Sequence, residues 1–175
     1  MHKLAAAALC LVLTGPALAQ SLGEKTGANA LLGISPSSAD FVTQAAISDM
    51  FEIQSSQLAL QQSPEPTKAF AQKMITDHEM VSTEMKAMIQ GGKVQAQIPT
   101  ALDSTHQAKI DKLKSLKGED FTKQYHSDQV AGHKNTVDLY KRYAAEGDNA
   151  ELKAFASKHL PHLEQHLKSA QDLNK

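Results

Sequence analysis

Between Phe41 and Leu173 apolar residues return every three to four positions, and no stretch alternates in twos over the length of a strand. That period predicts an all-α chain. A first stripe of Phe41, Ala45, Glu52 and Ala59, flanked by Val42, Ile53 and Ser56, predicts a helix over about 41–61, with Asp40 or Ser38 as its cap. Ser63-Pro64-Glu65-Pro66 stops it and opens the next, over about 65–90, because proline is tolerated in a first turn. Phe70, Met74, His78, Val81, Met85 and Met88 form that helix's inward line, with Ile75, Asp77 and Ile89 at its margin, and Gly91-Gly92 ends it. Thr100 and Asp103 resemble a capping box for a shorter helix to about Lys117, carrying Leu102, His106, Ile110, Leu113 and Leu116 on one side. After Gly118 a third long helix follows over about 120–146. Phe121, Tyr125, Gln129, Gly132, His133, Thr136 and Tyr140 share its face, with His126 at the edge. Gly147-Asp148-Asn149 closes it and can cap a last helix over about 151–173. Its stripe is Leu152, Phe155, His159, Leu163, His166, Ala170 and Leu173.

The chain also repeats itself. Asp40-Phe41-x-x-Gln44 returns as Asp120-Phe121-x-x-Gln124, and Lys68-Ala-Phe-Ala-x-Lys73 returns as Lys153-Ala-Phe-Ala-x-Lys158. Order and spacing are kept, so two related helical hairpins are expected, joined by a crossover from Gly91 to Lys117 that contains the short extra helix. Two hairpins and one long crossover make a ferritin-like four-helix bundle over 39–175. Aligning the first pair of motifs sets Glu52 against Gly132, one residue from His133.

The N-terminus changes the picture of where the chain works. Met1–Gln20 has a basic tip, an apolar run from Leu4 to Leu13 and Ala17-Leu18-Ala19 before Gln20. This is the pattern of a secretory signal over 1–19, and it implies a periplasmic or otherwise exported protein with no transmembrane helix after cleavage. Residues 20–38 are polar and rich in glycine and serine, which predicts a flexible linker. Cleavage would remove Cys10, the one cysteine, and with it any disulfide or thiolate chemistry. Loss of Lys3 leaves 17 basic against 19 acidic side chains, and no basic patch interleaved with aromatics, so nucleic acid is a poor partner. A Gly-x-Ser-x-Gly motif is absent and no Ser–His–Asp set stands out, so no catalytic residue is assigned and a non-enzymatic role is favoured.

Each long helix turns one donor inward: Glu52, His78, His133 and His166. Polar groups in the middle of apolar stripes must find partners. One carboxylate and three imidazoles from four helices would suit a single zinc, iron or copper ion. Such a site could buffer or scavenge the metal, or support redox chemistry such as peroxide disposal. The alternative is a structural or interaction protein in which the same histidines only hydrogen-bond one another's neighbours. His162 lies four residues before His166 but next to Pro161, which removes a helix hydrogen bond and bends the backbone, so it is expected at the surface. His106 and His126 are expected at edges, and the methionine stripe is expected to pack.

These motifs resemble a family. Asp-Phe-Val-x-x-Ala-Ala from Asp40, Lys-Ala-Phe-Ala-x-x-Met-Ile-x-Asp-His over Lys68–His78, Gly-x-x-Phe over Gly118–Phe121 and the Leu-Pro-x-Leu-x-x-His-Leu that ends at Leu167 are similar to domain-of-unknown-function family 4142. The resemblance covers about Ala39–Leu173 and implies an exported bacterial envelope protein of ferritin-like helical fold, with no established reaction; a part in envelope stress is one expectation. Di-metal ferritin-like sites take Glu-x-x-His from two helices, whereas Ile75 stands three before His78 and Leu163 three before His166. A site so poor in carboxylates is expected to hold one metal or none.

Overall fold

The computed structural model of the protein describes residues 21–175; the expected signal over 1–19 lies outside them. Among the described residues all regular structure is helical. Two short helices, α1 (Leu22–Lys25) and α2 (Ala28–Leu32), precede α3 (Ser38–Gln62), α4 (Glu65–Gln90), the short α5 (Ser104–Ser115), α6 (Gly118–Glu146) and α7 (Ala150–Leu173). None is long and apolar enough to cross a membrane.

The long helices begin and end where local chemistry dictates, with two corrections at the caps. Ser37, not Asp40 or Ser38, caps α3, accepting the Asp40 N–H at 3.1 Å. Asp40 turns instead to the Ser21 N–H at 2.8 Å. The α5 cap is Asp103 alone, which accepts the His106 N–H at 2.8 Å; Thr100 stays outside the helix. Asn149 caps α7 through the Leu152 N–H. Gly118 starts α6 at a φ of +56°, a conformation that favours glycine. α7 runs unbroken through Pro161, which faces solvent.

The segment expected to be a flexible linker is instead helical and docked. Its buried Glu24 accepts from Arg142 at 3.1 Å and from Gln44 at 2.9 Å, and Arg142 also reaches the Ile34 carbonyl. Composition missed this because Arg142, the chain's one arginine, lies 118 residues away in sequence.

α3 pairs with α4, and α6 with α7; the two hairpins pack through α3 on α6 and α4 on α7, while α5 lies across α3 and touches α6. Apolar packing occurs in two separate clusters. One gathers Phe41, Val81, Met85, Tyr140, Leu152, Phe155 and Leu163; the other gathers Ala59, Phe70, Met74, Leu113, Phe121, Tyr125 and Ala170. Each long helix contributes to both, and between its two contributions lies a buried polar stretch. These stretches fall at Asp49–Ser56, His78, Gln129–Thr136 and His166. A polar layer therefore crosses the middle of the molecule, walled by apolar packing at either end.

Candidate metal centre

The polar layer exists because four inward stripes carry a polar side chain at the same height. His78 and His133 are 1% exposed and His166 is 2% exposed, which puts all three rings out of reach of bulk solvent. Their ring centroids form a nearly equilateral triangle with sides of 5.7, 5.5 and 5.5 Å. One ring nitrogen from each lies within 4.8 Å of the other two.

Each ring is held from behind. His78 Nδ1 is 2.8 Å from Asp49 Oδ1, His133 Nδ1 is 2.9 Å from the Gln129 carbonyl, and His166 Nε2 is 2.7 Å from Asp77 Oδ2. Those partners accept only, so each of these nitrogens carries the N–H. The opposite nitrogens, His78 Nε2, His133 Nε2 and His166 Nδ1, are buried and make no hydrogen bond. Carboxylates and carbonyls behind imidazoles are how proteins fix a metal-ligating tautomer. Asp49 and Asp77 are fixed in turn, by Ser82 Oγ at 2.9 Å and Lys73 Nζ at 2.6 Å.

Electrostatics favours one positive charge among the rings. Burial, with the charge of His78, drives His133 down to about 3 and His166 down to about 4. At His78 burial opposes the charged form, but the Asp49 hydrogen bond and charge, helped by Glu52 and Asp77, outweigh it and raise the pKa. The centre thus tolerates a single cation, which a proton on His78 or a metal ion would supply.

Glu52 stands beside this triangle rather than within it. It is 1% exposed, its Oε1 is 3.7 Å from His133 Nδ1, and neither oxygen makes a hydrogen bond. Gln129 is near, but its Nε2 donates to Ser55 Oγ at 3.2 Å. Burial pushes the Glu52 carboxyl up to about 7 against the pull of His78. α3 and α6 approach closely here: a Cβ on Gly132 would meet Glu52 Oε1 at 2.9 Å. The aligned repeat that sets Glu52 against Gly132 corresponds to that contact.

The other candidates are dispersed. His159 is buried but bonds Glu84 at 3.0 Å; His126 bonds Thr67 at 2.8 Å and His106 bonds Asp103 at 2.8 Å. His162 is exposed, as Pro161 led us to expect. Met74 and Met85 sit in opposite apolar clusters, and the Tyr125 hydroxyl pairs with Ser56 Oγ at 2.8 Å. Asp49 escaped the sequence reading altogether. Its signal was spacing: four residues after Ala45 and three before Glu52, it falls on the flank of the inward line.

The sequence pattern of the family described as Domain of unknown function (DUF4142) matches residues 23–173, and the chain belongs to that family. A solved structure of CopM in the Cu(II)-bound form is similar in fold, with a TM-score of 0.66 at 16% identity over 81% of this chain and 97% of that one. No curated protein matches the chain.

Proposed function

We propose that the protein binds one transition-metal ion through His78 Nε2, His133 Nε2 and His166 Nδ1. The observation that carries this reading is the set of three buried imidazole nitrogens, all without a hydrogen bond, on rings already held in place by other acceptors. A purely structural network would have spent those nitrogens on one another's donors. Three ring nitrogens no more than 4.8 Å apart have a point within about 2.8 Å of each, so inward shifts of under about 1 Å reach the usual metal–imidazole length of about 2.0–2.1 Å. Imidazole ligands suit zinc, copper and iron, and the absence of Glu-x-x-His, with Asp49 and Asp77 turned to the outer nitrogens of the rings, argues for one ion rather than two. The CopM neighbour makes copper the first ion to try.

We read the two hairpins and crossover as a ferritin-like plan. The N-terminal pattern of a secretory signal supports a site outside the cytosol, where buffering or scavenging an ion would serve the envelope under stress. No catalytic residue is assigned.

Protein purified from its native host is expected to carry close to one equivalent of metal by elemental analysis. The demetallated protein should gain about 5–10 °C in Tm with free ion at a hundredfold excess over Kd. Protein free of metal whose Tm ignores copper, zinc and iron would end the reading. His133→Gln should abolish the metal content.

A further inference from the structure

A cavity of ≈ 420 Å³ opens between the N-terminal segment, α3, α5 and α6, and the buried Glu52 is part of its wall. We infer that this cavity is the path by which a hydrated metal cation reaches the three histidines, with Glu52 as the carboxylate that receives it and passes it on. The inference rests on the metal site proposed above.

Three observations converge. Glu52 lines the cavity and its Oε1 lies 3.7 Å from Nδ1 of His133, so the carboxylate stands between the cavity and the outer edge of one ring of the triangle. Its two oxygens, though buried, are unbonded, whereas the other acids of the lining are engaged: Glu24 and Asp138 by Arg142, Asp103 by His106. The volume holds on the order of ten water molecules, enough for an ion with its inner hydration shell. An ion must shed that shell to reach the rings, and an unengaged carboxylate replaces water with a comparable oxygen ligand.

Two other approaches offer a cation no free carboxylate. Beside His166, Asp77 is occupied by both the imidazole and Lys73. The second cavity, of ≈ 450 Å³ under the Ile98–Thr100 crossover, shows Met50, Met85 and Ala46 and reaches the site only through Ser82, whose hydroxyl is already donated to Asp49. Gly132 keeps the first path open at its floor, because any side chain there would press on Glu52 Oε1.

A residue on a path, unlike a ligand, changes uptake and release by the same factor and leaves the equilibrium alone. The test is stopped-flow uptake of Cu(II) and Zn(II) by the demetallated full chain, read by tyrosine fluorescence for copper and by a chromogenic chelator for zinc, with release into excess chelator measured in parallel. Glu52→Gln keeps the shape and removes the charge. It is expected to slow uptake by tenfold or more and to slow release as well, so that Kd weakens by clearly less than uptake slows, the remainder being the loss of a charge beside His133. Lys109 lines the same cavity, and Lys109→Gln should speed uptake severalfold at low salt. If Glu52→Gln loads at the wild-type rate, the path is wrong and the histidine site stands. If it weakens Kd by as much as it slows uptake, Glu52 is a ligand and the path is wrong again. If the wild type takes up neither ion, the metal site itself falls and the path with it.

Discussion

Asp49 Oδ1 takes the Nδ1–H of His78 at 2.8 Å, with the two side chains 2% and 1% exposed. This one contact decides which nitrogen of His78 faces the centre of the molecule. It also raises the His78 pKa against burial, whereas burial, and after it the charge of His78, lowers those of its two neighbours. Asp49 is thus a positioning residue for the site, one helix removed from the ring it orients.

Asp49→Asn keeps an acceptor for the Nδ1–H but removes the charge behind the ring. Metal affinity should fall by about 10–100-fold, the usual effect of losing such a partner, while the helical content stays as it was. Competition titration against a chelator of known affinity measures it. An unchanged Kd would mean that Asp49 serves packing only.

His159 is the control for burial alone. It is as buried as His166 and its ring packs against Phe155 at 4.6 Å between centroids, but its Nε2 is committed to Glu84 and it lies outside the triangle. His159→Gln should cost about 1–2 kcal/mol of stability by thermal or urea unfolding. It should leave the metal stoichiometry untouched. Loss of metal in this variant would show that the triangle has been drawn around the wrong rings.

Stability without metal should fall in mild acid. His133 and His166 titrate at about 3 and about 4 in the folded protein against an ordinary 6.5, so below pH 6.5 the unfolded chain holds up to two more protons than the native one. Glu52 works the other way: raised from 4.5 to about 7, it keeps a proton when folded that the unfolded chain has released between those values. The raised His78 adds no slope once both forms are protonated, below pH 6.5. Among these groups the balance is about one proton, or about 1.4 kcal/mol lost per pH unit on going from pH 6.5 toward 4.5, and the lowered pKa values of His126 and His159 add to the loss in the same direction. Urea unfolding across that range, with chelator present, tests it. Glu52→Gln removes the offset and should roughly double the slope; a flat profile in the wild type would refute the assignment of buried neutral imidazoles.

Helical periodicity by itself determined the four long helices and their inward faces, because a stripe at 3.6 residues per turn is a local property of the chain. It therefore reached Glu52, His78, His133 and His166 as inward-facing groups. The repeated motifs carried the hairpin pairing as well. Only the tertiary structure decided what those groups do. Stripe angles place a side chain on a face but say nothing of its height against a neighbouring helix, and it is height that puts three rings in one triangle, Glu52 next to them and His159 outside. Ring orientation came from acceptors on other turns and other helices, Asp49, Asp77 and the Gln129 carbonyl. The docking of the N-terminal segment depended on Arg142 meeting Glu24 across more than a hundred residues, a contact no local pattern encodes. The cavity beside Glu52 has the same origin, since a space between four elements belongs to none of their sequences.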